Sequence, residues 1–119
     1  MGRRGEAEVG RYLQDRGHVI LERNWRFSHL EIDIITLAPD GIHFVEVKTR
    51  REELGYPPYD AVDEKKRRRI TRAAGRYLTQ HQGEGYGGLE AWMDVAAVVF
   101  SGSAAKIEYF PAAFVPIFT

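Results

Sequence analysis

The chain contains no cysteine, carries no net charge and has no long apolar run. The first absence excludes disulfides and any thiolate-held metal, and it fits a reducing compartment. The second, 17 basic residues against 17 acidic ones, removes the global signature of a polyanion binder, so any such role must come from how the charges are distributed. The third leaves nothing to span a bilayer. No apolar stretch follows Arg3-Arg4 in the manner of a secretory leader. The expected location is cytoplasmic, with no membrane partner.

What is present describes a folded globule. Of 119 residues, 44% are apolar and 12% aromatic, enough for one domain with one modest core. The pattern predicts a helix from Arg3 to Arg16, ended by Gly17, with Val9, Gly10 and Leu13 on its inward stripe. Strands are predicted over His18–Leu21, Glu31–Leu37 and Ile42–Thr49, the last two joined as a hairpin around Pro39-Asp40-Gly41. Gly55, Pro57 and Pro58 mark a loop. A second helix is predicted from Asp60, as cap, to Gln82, with Val62, Ile70, Ala73, Ala74, Tyr77 and Leu78 at helical spacing. Gly83 to Gly88 reads as a flexible connection, followed by strands over Trp92–Phe100 and Lys106–Phe110. The apolar segment from Pro111 is expected to dock on the core. The order is αβββαββ, an α/β domain with a mixed sheet flanked by helices.

Strand alternation puts Glu31, Asp33, Ile35 and Leu37 on one face and Ile32 and Ile34 on the other. In the next strand Phe44, Glu46, Lys48 and Arg50 share a face. A two-residue Asp40-Gly41 loop would pair Asp33 with Lys48, whereas a four-residue loop from Ala38 to Gly41 would pair it with Glu46. A three-residue loop would separate the carboxylates unless a bulge restored the register. Opposed residues hold their Cβ atoms roughly 4.5–5.5 Å apart, and two carboxylates that close need a proton or a cation between them. A divalent, oxygen-seeking ion such as Mg²⁺ suits one or two carboxylates. Lys48 could then orient a water or stabilise charge on phosphorus.

Glu6 falls on the inward stripe of the first helix, and Lys66 lies midway between Val62 and Ile70 on the inward side of the second. Two helices thus each direct one charge at a sheet face that carries three. Plainer readings exist for each residue. Asp33, Glu46 and Lys48 could form a surface salt-bridge ladder. Glu6 could complement the helix dipole, and Lys66 could lay its stem over the core and end in solvent. Lys65, Lys66, Arg68, Arg69 and Arg72, with Arg50, form a basic group suited to phosphates. His18, His29, His43 and His81 have no metal-ligand spacing.

These residues carry a resemblance to the PD-(D/E)xK nuclease superfamily: Asp33, then Glu46-Val47-Lys48, with Glu6 on a leading helix. More narrowly, the chain resembles the YraN family. The matching stretches are Gly5-Glu6, Tyr12-Leu13, Asn24, Glu31-Ile32-Asp33, Phe44 through Arg50, Ala61-Val62 through Tyr77-Leu78, and Asp94-Val95. The resemblance implies a restriction-endonuclease-like core and endonuclease activity on DNA, with similarity to archaeal Holliday junction resolvases pointing to branched or structured substrates and to a homodimer. It implies that Asp33 and Glu46 bind Mg²⁺ or Mn²⁺ together with the Val47 carbonyl. Glu6 would assist the metal or its water, and Lys48 would be the catalytic lysine. Leu30 stands where the family has glycine, and Met93 where it has an aromatic residue. The alternative is a non-catalytic nucleic-acid-binding module of the same fold, which Leu30 would favour by narrowing access to the site.

Overall fold

Gly17 ends the first helix by the geometry glycine permits. Its φ is +89°, its N–H reaches the Gln14 carbonyl at 3.1 Å, and the His18 N–H reaches the Leu13 carbonyl at 3.0 Å. These two bonds close the last turn and satisfy carbonyls the helix leaves open. The chain then turns directly into the sheet. The computed structural model describes residues 2–51 and 64–116. Along the chain these are helix α1 (Gly2–Asp15), strands β1 (Val19–Phe27), β2 (Leu30–Ala38) and β3 (Gly41–Arg51), helix α2 (Glu64–Gln80), and strands β4 (Ala91–Ser101) and β5 (Ala104–Phe114). The predicted cap Asp60, the stripe residue Val62 and the loop residues Gly55, Pro57 and Pro58 lie outside the described residues.

The five strands form one mixed sheet in the order β1-β2-β3-β4-β5. Among them, β3 and β4 pair in parallel and the other neighbours are antiparallel. A parallel pair needs a long crossover, and α2 lies on it. The two central strands are buried over most of their length, as parallel strands covered on both faces should be. Beneath α1, Val9 and Leu13 pack against Ile34, Val45, Ala96 and Val98. Beneath α2, Ile70, Ala73, Ala74 and Tyr77 pack against Ile35, Ile42, Phe44, Met93 and Val95. The described residues therefore form a single α/β domain in three layers, helix, sheet and helix.

Several boundaries differ from the sequence expectation. β1 runs on from Leu21 to Phe27, bulged between Ile20 and Glu22; its polar residues Glu22 to Arg26 suit an edge strand open to solvent. Gly83 to Gly88 lies in two short 3-10 turns, Gln82–Glu84 and Tyr86–Gly88, rather than a plain linker. The segment at Pro111 belongs to β5. Its exposed proline costs no ladder bond on an outer strand. Ala112, at φ +50°, turns its N–H to the Asp94 carboxylate at 2.8 Å, and Phe114 returns to the core.

The hairpin takes the register of the four-residue reading, with Leu37 opposite Ile42, and adds the pair Ala38 and Gly41. Pro39 and Asp40 alone make the turn. The simple alternation in β2 fails at one place. Ile32 and Ile35 both lie in the α2-side cluster, while Ile34 lies under α1. Asp33 sits at that irregularity. Across from it on β1, between the pairs Arg23–Ile34 and Trp25–Ile32, Asn24 holds a left-handed φ of +51°, a conformation asparagine tolerates better than most residues.

Candidate active site

The β2–β3 ladder ends at Ile34 and Val45. Continuing the register sets Asp33 opposite Glu46, but the backbones stop pairing there. The Asp33 carboxylate takes the place of a ladder acceptor and receives the Val47 N–H at 2.8 Å. This bond fixes one carboxylate oxygen and leaves the other for a different partner. Asp33 and Glu46 line one cavity of about 160 Å³, walled by His29, Leu30 and Glu31 from the β1–β2 turn and β2, and by Lys66, Arg69 and Ile70 from α2.

The electrostatics of this cavity are strained. Burial, then the neighbouring Glu46 charge, push the Asp33 carboxyl up to about 7, despite the Val47 N–H; Glu6 and Glu31 add to the rise. Glu46 is 10% exposed at its side chain, and Lys66 Nζ lies 2.6 Å from its Oε1. Burial disfavours the charge on Lys66, but the hydrogen bond and charge of Glu46 outweigh it and hold its pKa above the ordinary value. Lys48 moves the opposite way, lowered by burial and then by the adjacent Lys66 charge. Two carboxylates and two lysines therefore meet at one end of the α2-covered face.

A close approach of α1 to β3 brings Glu6 within electrostatic range of Asp33. A Cβ on Gly5 would lie 2.3 Å from Thr49 Oγ1, so only glycine lets the first turn of α1 lie this close to β3. The next residue, Glu6, is half-buried and near enough to raise Asp33. The structure thus brings Asp33, Glu46 and Lys66 together in the cavity; Lys48 stands beside Lys66, and Glu6, on the α1 layer, lies within electrostatic range of Asp33 without lining the cavity. Leu30 is 7% exposed. It packs in the core cluster and forms part of the cavity wall.

The remaining basic residues are less concentrated. Lys65, Arg68, Arg69 and Arg72 are exposed on α2, and Arg68 is engaged by Glu64 at 3.0 Å. Arg69 alone of these four lines the cavity. Arg50 is half-buried on β3 and donates to the Thr49 carbonyl at 2.9 Å. Sequence reasoning missed Arg76. It completes a line with Lys65, Arg69 and Arg72 at helical spacing, and its guanidinium lies 4.3 Å from the centre of the Phe27 ring. Carrying the spacing one turn further would have found it. Tyr56 and Tyr59 lie outside the described residues.

The donor set fits a divalent cation in part. Among the described residues no three His, Cys, Asp or Glu side chains converge into a metal cage. Two carboxylates do converge, one with its charge disfavoured by the other. That is the chemistry of a site which takes one or two carboxylates and draws its remaining oxygens from backbone, water or substrate. The Val47 N–H is engaged by Asp33, which places the Val47 backbone at the site.

A second polar cluster lies at the hairpin's turn end. His43 bridges Asp94 at 2.6 Å and Asp40 at 2.7 Å, Tyr109 donates to Asp94, and His18 contacts Thr36 at 2.7 Å. This group fastens β3, β4 and β5 together away from the cavity. Among the described residues no helix is long and apolar enough to cross a membrane.

Comparison with known proteins gives a family match. The family described as "Uncharacterised protein family UPF0102" matches residues 5–98. A UPF0102 protein of Nitratidesulfovibrio vulgaris (strain DP4) is 38% identical over 118 residues, covering 95% of this chain and 82% of the relative. One from Alkaliphilus metalliredigens is 38% identical over 114 residues, covering 96% of each. One from Chlorobium chlorochromatii is 52% identical over 79 residues, covering 66% of this chain. The match spans 61% of that relative's length, and 64% of the length of a Parabacteroides distasonis relative. The matched range contains Glu6, Asp33, Glu46, Lys48 and Lys66.

Proposed function

We propose that this chain, which belongs to the UPF0102 family, is a divalent-metal-dependent endonuclease of the PD-(D/E)xK type acting on DNA in the cytoplasm. The observation that carries the reading is the Asp33–Glu46 pair at the end of the β2–β3 ladder, with one carboxyl raised by the other. Asp33 and Glu46, with the Val47 backbone, would hold Mg²⁺ or Mn²⁺. When bound, such an ion supplies charge neutralisation to a phosphodiester under attack.

The chain's own residues supply the rest. Asp33 is oriented by the Val47 N–H before any ligand arrives, so no reorganisation is needed to present it. Lys48, its charge disfavoured by burial and Lys66, is suited to hold or release a proton beside the reacting phosphate. Glu6 contributes a third negative charge from α1. Lys65, Arg69, Arg72 and Arg76 form a stripe about 16 Å long at the 1.5 Å rise of a helix, and Arg69 connects it to the cavity. Such a line would follow a phosphate backbone into the site. Structured or branched DNA is the preferred substrate on the resolvase-like pattern, and cutting two strands would call for a homodimer.

A second reading is a nucleic-acid-binding module without turnover. The Lys66–Glu46 ion pair favours it, because an ammonium already compensates one of the two carboxylates. Calorimetric titration of Mn²⁺ separates the two. The nuclease reading expects binding that Asp33→Ala abolishes, and Mg²⁺-dependent cleavage of a four-way junction or another DNA substrate. DNA binding with no metal binding, even with the DNA in place, would overturn it.

A further inference from the structure

Glu46 projects from the sheet, yet the cation that meets it comes from the opposite layer. Lys66 lies one turn before the buried Ile70 on α2, and its ammonium stands 2.6 Å from Glu46 Oε1. It also feels the Asp33 charge. An ammonium carries one positive charge, so it balances one of the two facing carboxylates and leaves the other. It is also a point charge on a long flexible stem, which is 39% exposed here and can swing away without disturbing the helix.

We infer that Lys66 is a built-in placeholder for the divalent cation. It holds Glu46 in the metal-free protein, yields that carboxylate when the ion binds, and then turns to a substrate phosphate at the cavity mouth. The inference rests on the metal-dependent reading above. A divalent ion on Glu46 would face the Lys66 ammonium across a single carboxylate, 2.6 Å from its Oε1, and the repulsion between the two cations favours departure of the ammonium. A phosphate beside the cavity gives the displaced ammonium a new partner. Each ligand then makes the other's binding easier, by the same factor in both directions. The protein alone would be a weak binder of divalent ions and a better one with DNA in place.

The test is Mn²⁺ calorimetry, without DNA, on the full chain as wild type, Lys66→Met, Lys66→Arg, Arg69→Met and Asp33→Ala. Lys66→Met is expected to bind about tenfold or more tightly than wild type. Lys66→Arg should stay close to wild type, since it keeps a cation on Glu46. Arg69→Met, which removes a charge from the same cavity, should gain much less. A direct readout needs no variant: in wild type labelled with ¹⁵N-lysine, saturating Mg²⁺ should abolish the hydrogen-bonded Lys66 ammonium signal. Equal or weaker binding by Lys66→Met, with Asp33→Ala still abolishing binding, would overturn the placeholder and leave the metal site standing. So would an Arg69→Met gain as large as that of Lys66→Met, or a Lys66 signal unchanged by Mg²⁺. Metal binding by neither wild type nor Lys66→Met would remove the metal-dependent reading as well.

Discussion

Asp33 receives the Val47 N–H at 2.8 Å at the point where the β2–β3 ladder stops. A side chain has taken over a backbone's role, so the strands part while the hydrogen bond is kept. Buried polar groups rarely go without a partner, and this exchange lets a carboxylate sit at the junction with no N–H left orphaned.

The same carboxylate makes stability depend on pH. Asp33 is raised from 3.8 to about 7 in the fold. An acid with a raised folded pKa binds its proton more tightly in the native state. In chelator, stability should therefore fall as pH rises from about 4 through about 7, and level off above that. Asp33→Asn keeps an acceptor for Val47 and removes the charge, so it should flatten this slope and unfold at higher urea than wild type near pH 8. Urea titrations with chelator at several pH values provide the check. A wild-type midpoint that did not fall across this range would mean that Asp33 titrates as an ordinary aspartate.

Gly5→Ala should cost about 1–3 kcal/mol, the usual range for forcing a methyl into a filled contact, because its Cβ would meet Thr49 Oγ1. Pairing it with Thr49→Ala or Thr49→Gly should recover most of that loss. Gly5→Ala should also weaken Mn²⁺ binding, since Glu6 follows the displaced turn. Thermal melts of the single and double variants test the packing, and calorimetry tests the site.

DNA affinity should follow the α2 stripe. Replacing Lys65, Arg69, Arg72 and Arg76 with alanine should reduce the slope of log affinity against log salt by about 0.9 for each duplex phosphate that is no longer neutralised. Arg68→Ala should do less, because Glu64 already engages that guanidinium. Fluorescence anisotropy across a salt series would measure both. An unchanged slope in the fourfold variant would move the DNA-binding surface elsewhere.

His43 should matter for stability and not for metal binding. Burial opposes its charge, but its hydrogen bonds to Asp94 and Asp40 prevail and raise its pKa. The stabilisation from a raised histidine is complete below about pH 6.5, its ordinary value, and is lost as pH climbs through the folded value. His43→Ala should cost about 1.5–3 kcal/mol near pH 6, the range for hydrogen bonds to charged groups. The loss should be smaller near pH 9. Mn²⁺ binding should stay at the wild-type level, which calorimetry alongside denaturation would establish.

Much of this arrangement is legible in the residues. Period-two alternation with a turn tripeptide located β2 and β3, and Gly17 marked the end of α1 because its left-handed φ suits few other residues. The opposition of Asp33 and Glu46 was one of the registers the turn allowed. Choosing among them needed Ala38 and Gly41 to pair, which no local rule dictates. The reversal at Asp33 and Ile34 was hidden, because alternation assumes a regular ladder and here a side chain interrupts it. The later half of β1 was missed for a different reason. Glu22, Arg23, Asn24 and Arg26 are polar and carry no apolar alternation, but an edge strand is held by its single neighbour and leaves polar side chains in water. Lys66 was legible as an inward charge, while its partner depended on how the crossover lands.

That crossover has a consequence for how the protein is made. The two carboxylates are 13 residues apart on a local hairpin, whereas β4 reaches β3 only after the chain has travelled through α2. Contacts close in sequence form readily, and distant parallel pairing is slow. A growing chain would thus hold Asp33 and Glu46 side by side before Lys66 is in place. The nascent hairpin, rather than the finished fold, would be the form most open to stray cations.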